Sequence, residues 1–148
     1  MQLNTASAVI RFATEVEEKS AKFYDDCAKR HREIAETFLS FVRENKKNVT
    51  FVKRAYYGVI SDALEACFSF EGLKTDEFLF KAEFDEKAHL SDILEMSLQM
   101  EDKIQKFYQK AGESSEKLLA DVPRAFKKIA DKRKERKNEL ASLLGEIR

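Results

Sequence analysis

Apolar residues recur along this chain at alternating spacings of three and four, which is the period of one face of an α-helix. Four segments keep the period long enough to predict helices: about Ser7 to Lys29, about Arg32 to beyond Tyr57, from near Ser91 onward, and the chain after Asp121. Ser91 and Asp121 are residue types that cap helix N-termini, and Pro123 would stand in a first turn, where a missing N–H costs little. The pattern predicts an all-α protein.

Each predicted helix has one stripe of inward-facing positions. The four stripes are Ile10, Ala13, Glu17, Ser20, Tyr24 and Cys27; Ile34, Phe38, Phe41, Asn45, Asn48 and Val52; Leu94, Ser97, Glu101, Ile104, Tyr108 and Ala111; and Val122, Phe126, Ile129, Arg133, Arg136, Leu140, Leu143 and Ile147. A buried polar group is costly unless it is hydrogen-bonded, so the polar members of these stripes are the informative ones. At matched depth they are Glu17, Asn45, Asn48, Glu101, Arg133 and Arg136.

The links between the predicted helices indicate the topology. Short links near Arg30–His31 and Gly112–Ala120 make two hairpins, and a long connection of roughly Ile60–Leu90 joins them. This connection is too apolar for a free linker, so we expect it to pack as a crossover with a short helix or turn. Two antiparallel hairpins and one crossover describe a four-helix bundle of ferritin-like connectivity. We expect residues 1–148 to form a single domain.

An internal repeat supports two pseudo-symmetric halves. The segment "EVEEKSAKFY" (15–24) matches "QMEDKIQKFY" (99–108) at an offset of 84 residues. The segment "FLSFVRENKKN" (38–48) matches "FKKIADKRKER" (126–136) at an offset of 88, mostly in pattern. Each half is therefore predicted to be one helical hairpin.

On these residues the chain resembles the rubrerythrin-like branch of the ferritin-like superfamily. The resemblance rests on "ATEVEEKSAKFYDDCAKR" and "EMSLQMEDKIQKFYQKA", in each of which a Glu precedes a Tyr by seven residues. It implies a site built from one Glu on each of two helices and a Glu-x-x-His on each of the other two. Such proteins use two irons to reduce peroxide or oxygen, or to store iron.

Carried onto this sequence, the resemblance leaves only two of six ligands. Glu17 and Glu101 match the single glutamates. The first Glu-x-x-His falls on Asn45 and Asn48, and the second falls on Arg133 and Arg136: both motifs are absent. A guanidinium cannot ligate iron. No C-x-x-C occurs, so we expect no rubredoxin module.

The charges suggest a different core. Two glutamates and two arginines balance, so we hypothesise that Arg133 and Arg136 take the place of metal ions and bridge Glu17 and Glu101. Asn45 and Asn48 would supply further donors and acceptors. The alternatives are glutamates on a solvent face and a solvated basic face over "KKIADKRKERK". We expect Tyr24 and Tyr108 to pack in the core with hydroxyls bonded across the bundle, rather than to act as redox groups.

Other potential ligands are placed less favourably. Glu44 and Glu135 are out of phase with the expected positions by rotations of roughly 100° and 200°, which predicts that they turn away from the centre. A literal Glu-x-x-His occurs at Glu86–His89, but within the crossover and without a paired second motif. His31 lies in a predicted hairpin turn.

Composition limits the remaining classes of function. The 27 basic and 27 acidic residues balance, so we expect no nucleic-acid partner, although the basic segment Lys127–Lys137 leaves that interpretation open. No segment has the length and hydropathy of a membrane span, and the N-terminus does not have the pattern of a signal peptide. Cys27 and Cys67 are far apart in sequence and are expected to be reduced thiols of a cytoplasmic protein. There is no phosphate loop, nucleophile elbow or zinc-type spacing.

Three classes of function follow. The first is a metal-free structural or binding protein with an Arg–Glu core, acting as a homodimer or with an unidentified protein partner. The second is an oxidoreductase that binds iron or another metal through Glu17, Glu101 and unusual ligands. The third is a nucleic-acid binder acting through its basic face, which salt-dependent retention on DNA would reveal. The resemblance supports the fold more strongly than any of these functions.

Overall fold

The computed structural model describes residues 3, 5–59, 73–115 and 121–147, and these residues form an all-helical fold. Four long helices are present in this part of the chain: α1 (Ala6–Arg30), α2 (Ala35–Val59), α3 (Leu90–Ser114) and α4 (Asp121–Ile147). Short 3-10 turns lie at Arg32–Ile34 and Thr75–Phe78. The predicted all-α class is confirmed. Residues 60–72 of the crossover, with Cys67, and 116–120 of the second link lie outside the described residues.

Local chemistry explains where the helices begin and end. Thr5 caps α1, because its Oγ1 accepts a hydrogen bond of 3.1 Å from the N–H of Ala8. At the other end, the N–H of His31 donates to the Cys27 carbonyl at 2.9 Å. Helix α3 begins earlier than predicted. Its N-cap is His89 and not Ser91, and the His89 N–H donates to Asp92 Oδ2 at 3.2 Å.

Helices α1 and α2 pack side by side, as do α3 and α4, and α2 also packs against α4. Along the first pair, successively later residues of α1 contact successively earlier residues of α2: Glu17 contacts Asn48, and Tyr24 contacts Phe41. In the second pair, a Cβ built on Gly112 would come within 2.9 Å of Lys127 Cγ, so the helices approach closely there. Gly112 is part of α3, and the link predicted to start at this residue therefore starts later.

The described part of the crossover covers the outer face of α1 and α3. Phe78 is buried, with ring centroids 5.5 Å from Phe107 and 6.5 Å from Phe12. Phe84 packs edge-on against Phe23 at 5.7 Å. These aromatic contacts agree with the expectation that the crossover packs rather than hanging free. They also bury a second stripe on α1 and α3, which leaves the first stripe to face α2 and α4.

The stripe of α4 departs from the prediction near its C-terminus. Leu140 is buried, but the next buried position is Leu144 rather than Leu143, which is half-buried. Ile147 is 46% exposed. The predicted inward position Ile147 is thus wrong, while Leu143 is half-buried and packs against the core. The stripe shifts because a strict alternation of three and four has a period of 3.5 residues and drifts from the 3.6 of a straight helix.

Candidate polar core

Six polar side chains from all four helices meet at the centre of the bundle. Each is at most 2% exposed. They are Glu17 on α1, Asn45 and Asn48 on α2, Glu101 on α3, and Arg133 and Arg136 on α4. Every one of them is on the inward stripe of its helix, where the 3.6-residue period of the flanking apolar residues directs it. The structure brings together all six residues that the sequence selected as core polar positions.

Arg133 lies between the two glutamates. Its Nη1 donates to Glu101 Oε1 at 2.7 Å, and its Nη2 donates to Glu17 Oε2 at 2.5 Å. Burial by itself would lower the pKa of the Arg133 guanidinium, but the charges of Glu101 and Glu17 raise that pKa above its ordinary value. The guanidinium is therefore cationic and joins α4 to both α1 and α3. A planar fork with two parallel donors suits this bridging geometry.

Arg136 is placed differently from the prediction. Its Nη1 donates to Asn45 Oδ1 at 2.8 Å and to Glu101 Oε1 at 3.2 Å, but it does not reach Glu17. Its Nη2 donates instead to Glu44, whose side chain is 33% exposed. Glu44 turns away from the centre, as predicted, but it still joins the cluster because the long Arg136 side chain extends outward to it. The cluster thus contains three carboxylates, not two.

The asparagines and Ser20 fill the remaining positions around Glu17. Asn48 Nδ2 donates to Glu17 Oε1 at 3.3 Å. Asn45 Nδ2 donates to Ser20 Oγ at 2.6 Å and to the Glu17 carbonyl at 3.2 Å. Ser20 is completely buried and also accepts from Arg133 Nη2 at 3.2 Å. The sequence placed Ser20 on the stripe but did not select it, although its position one turn after Glu17 was the available signal.

The two tyrosines connect the halves of the molecule crosswise. Tyr24 Oη donates to Glu101 Oε1 at 2.6 Å, and Tyr108 Oη donates to Glu17 Oε1 at 2.6 Å. Each tyrosine follows the glutamate of its own helix by seven residues, yet it bonds the glutamate of the other half. The hydroxyls are thus bonded across the bundle, as expected. The crossed bonds relate the two halves as the internal repeat does.

The same symmetry relates two contacts with different chemistry. Asn48 and Arg136 are equivalent positions of the repeat, 88 residues apart. Asn48 bonds the glutamate of α1 at 3.3 Å, and Arg136 bonds the glutamate of α3 at 3.2 Å. The backbone positions are alike in the two halves, while the cations come from one half only.

Burial shifts the tyrosine titrations. Burial raises the pKa of the Tyr24 phenol well above its usual value, and the charge of Glu101 raises it further. Burial and the charge of Glu17 have the same effect on the pKa of Tyr108. A phenol that stays protonated in the folded state while the unfolded state ionises makes the unfolding free energy fall as pH rises. Both hydroxyls therefore remain donors throughout the neutral range.

We expect this linkage to be measurable in alkaline solution. From about pH 9 to about pH 11, across the usual phenol pKa, wild-type protein should lose more unfolding free energy than Tyr24→Phe/Tyr108→Phe. The double variant lacks both shifted phenols, so the difference between the two curves isolates them from lysine titration. Urea unfolding at each pH measures it. Parallel curves would contradict the buried, carboxylate-bonded placement of the two hydroxyls.

The other predicted ligand positions do not join this cluster. Glu135 is exposed, as are Glu86 and His89 on the surface of the crossover and the start of α3. His31 follows α1, with Nδ1 3.4 Å from Glu33 Oε1. Cys27 is completely buried in the core, and this burial raises the pKa of its thiol to about 12. Within the described ranges, no three His, Cys, Asp or Glu side chains are grouped as metal ligands would be.

Comparisons with known proteins add no family to this description. The chain matches no family model, no curated protein and no solved structure. Among the described residues, no helix has both the length and the apolar character needed to cross a membrane. The class that the fold and the site define is therefore an all-helical protein with a buried Arg–Glu core.

Proposed function

We propose that this chain is a ferritin-like bundle in which an Arg–Glu core stands in the place of a di-iron site. On this proposal it acts as a non-catalytic structural or binding protein. The observation that supports it is the Arg133 fork, which donates to Glu101 at 2.7 Å and to Glu17 at 2.5 Å. A cation between two carboxylates offsets their negative charge, as a metal ion does in di-iron sites.

The topology proposed is two antiparallel hairpins joined by the crossover, as in rubrerythrin-like proteins. The order of contacts between α1 and α2 supports it, because Glu17 contacts Asn48 while the later Tyr24 contacts the earlier Phe41. The repeat and the crossed tyrosine bonds support pseudo-symmetric halves. The single domain, the cytoplasmic location and the homodimer expected from the resemblance belong to the same proposal.

The residues present do not fit a pair of irons. Both oxygens of Glu17 accept from protein donors, Oε1 from Tyr108 and Asn48 and Oε2 from Arg133. Glu101 Oε1 accepts from Tyr24, Arg133 and Arg136. A cation between the glutamates would have to displace Arg133, leaving a buried guanidinium without its two carboxylate partners. Neither Arg nor Asn is the carboxylate or imidazole that iron sites of this class use.

The competing proposal is an oxidoreductase that binds iron or another metal with unusual ligands. One observation favours it: both Glu17 and Glu101 reach the same cationic group, the Arg133 guanidinium. The two proposals differ in what lies between these carboxylates, and a measurement of metal content therefore separates them.

We expect untagged protein, purified anaerobically and then reconstituted with Fe(II) and Mn(II), to contain no stoichiometric metal. Elemental mass spectrometry after removal of free metal measures this. Glu17→Gln and Glu101→Gln should leave the residual content unchanged, and exposed Glu113→Gln on α3 is the matched control. One or two metals per chain that are lost in the two core variants but kept in Glu113→Gln would overturn the proposal in favour of the oxidoreductase.

A further inference from the structure

Positive charge is concentrated on one side of this neutral chain. Apart from Arg133, which is buried in the polar core, residues 45–59 of α2 and 122–134 of α4 together contain nine basic residues and one acidic residue. Outside these two segments the chain has 17 basic and 26 acidic residues, so the neutral total conceals two oppositely charged regions. Because α2 packs against α4, the fold places the two basic segments side by side. The balanced net charge led us to expect no nucleic-acid partner. It does not reflect the local excess of positive charge on this surface.

A cleft in this region is lined by cations around an aromatic ring. It has a volume of about 350 Å³. Phe51, one of its lining residues, is 37% exposed, and Lys128 of α4 lies over the ring, with Nζ 5.0 Å from the centroid. We call this feature the basic groove, which consists of Lys46, Lys47, Thr50, Phe51 and Arg54 of α2 with Lys128 of α4.

The cations of the basic groove have no carboxylate partner among the described residues, which is also true of other exposed cations such as Lys22 and Lys53. Lys106 and Lys110, by contrast, pair with carboxylates at 2.8 and 2.7 Å. Four like charges around one cleft, with no carboxylate partner among the described residues, repel each other and mildly destabilise the free protein. An anionic partner would relieve that repulsion and release counterions.

We propose that the basic groove binds single-stranded nucleic acid. Lys47 and Arg54 lie seven residues apart on α2, roughly 10 Å along the helix axis, with Phe51 between them. This order places cations for successive phosphates on either side of a ring on which a base stacks, the arrangement by which single strands are held without sequence preference. A membrane surface fits less well, because interfacial binding requires a broad apolar face and the groove offers one phenylalanine.

This inference rests on the proposed function, because it names the class of partner that the binding protein would take. The proposed binding residues are separate from the polar core. The probes are fluorescein-labelled oligouridylate and oligothymidylate of about 12 nucleotides, a length within the usual single-strand site sizes. Fluorescence anisotropy over a salt series measures binding. Two neutralised phosphate contacts should lower the slope of log K against log salt by about 1.4 in magnitude, so we expect that change in Lys47→Gln/Arg54→Gln.

The matched control is Lys22→Gln/Arg30→Gln, which removes two exposed charges from α1, away from the groove. It should keep wild-type affinity and salt slope. Phe51→Ala should keep the slope but weaken binding about tenfold, and Phe51→Tyr should restore it, because stacking needs a ring and not a particular one. Circular dichroism establishes that each variant is folded.

The inference would be overturned if the protein does not bind the oligonucleotides at low salt, or if the groove and control variants lose affinity equally. It would also be overturned by tighter binding to duplex than to single strands. Binding to anionic phospholipid vesicles without binding to the oligonucleotides would overturn it as well. Metal content measured on the same samples keeps the two proposals separate. If the protein contains no metal and does not bind the oligonucleotides, only the nucleic-acid inference is wrong and the proposed function stands. Protein that binds stoichiometric metal through Glu17 and Glu101 would reject the proposed function whatever the oligonucleotides do.

Discussion

Replacing Glu101 with alanine is expected to lower the free energy of unfolding by about 3–5 kcal/mol, the range for removing one partner of a buried ion pair. Glu101 is completely buried, and its Oε1 accepts from Tyr24, Arg133 and Arg136. Without it, Arg133 keeps only Glu17 as a charged partner, and the Tyr24 hydroxyl loses its acceptor. Urea or thermal unfolding, followed by circular dichroism, measures the loss.

Two controls separate the lost ion pair from other effects. Glu113→Ala removes an exposed glutamate from the same helix and should change stability by about 0.5 kcal/mol or less. Glu101→Gln keeps the side-chain volume, so it should still lose most of the stability if charge matters more than the cavity. A loss of only a few tenths of a kcal/mol in Glu101→Ala would contradict a buried network at this position.

A double-mutant cycle tests the pairing itself. Arg133→Met should be strongly destabilising alone, because Glu17 and Glu101 would then face each other without the bridging cation. In Glu101→Leu/Arg133→Met the loss should be smaller than the sum of the single losses, with coupling of roughly 0.5–3 kcal/mol. This follows because each single change leaves the other member of the Glu101–Arg133 pair without that partner, while the double change removes both members. The double variant stays destabilised, because buried Glu17 still loses its ion pair with Arg133.

The polar core could be predicted because the helical period holds its phase over a few turns. All six stripe positions of α1, from Ile10 to Cys27, are buried, and so are all six of α3, from Leu94 to Ala111. The glutamates lie mid-stripe, where neighbours on both sides fix the phase. Near the end of α4 the accumulated drift moves Leu144 inward and Ile147 outward. Position along the stripe therefore limits how far such a prediction extends.

The share of Glu44 in the core could not be predicted from the stripe. A rotation of roughly 100° from the centre gives the direction in which the Glu44 side chain leaves its helix. It does not show whether a long side chain from another helix reaches Glu44. Arg136 starts inside the bundle, and its guanidinium lies 4.7 Å from the Phe41 ring centroid before it meets Glu44 near the surface. The two core glutamates and the two core arginines already sum to zero net charge. Charge balance therefore did not indicate that a third carboxylate takes part. The inward stripes also could not predict the crossover contacts Phe78–Phe107 and Phe84–Phe23, because these contacts lie on a second face of the helices.

On the proposed correspondence with ferritin-like sites, placing their ligand types at four positions is expected to convert the core into a metal site. The variant is Asn45→Glu/Asn48→His/Arg133→Glu/Arg136→His, which places a Glu-x-x-His on α2 and on α4 beside Glu17 and Glu101. Without metal it gathers four carboxylates in a buried space, and their mutual repulsion should leave it poorly folded. With Mn(II) or Fe(II) it should bind two ions per chain and gain helicity and thermal stability, because ligands that bind only the folded state stabilise it by mass action.

The same variant with Glu17→Ala is the matched control, and it should lose metal while keeping the other changes. Wild-type protein should show no metal-dependent stability under the same conditions. This comparison tests the positions rather than the residues: metal binds only if the backbone of the four helices holds these positions at ligating distance. A variant that folds without binding metal would show that the correspondence between Asn45, Asn48, Arg133, Arg136 and the ligands of related bundles is wrong. The Arg–Glu core would then be an independent solution to filling a bundle's centre and not the substitute for a metal site.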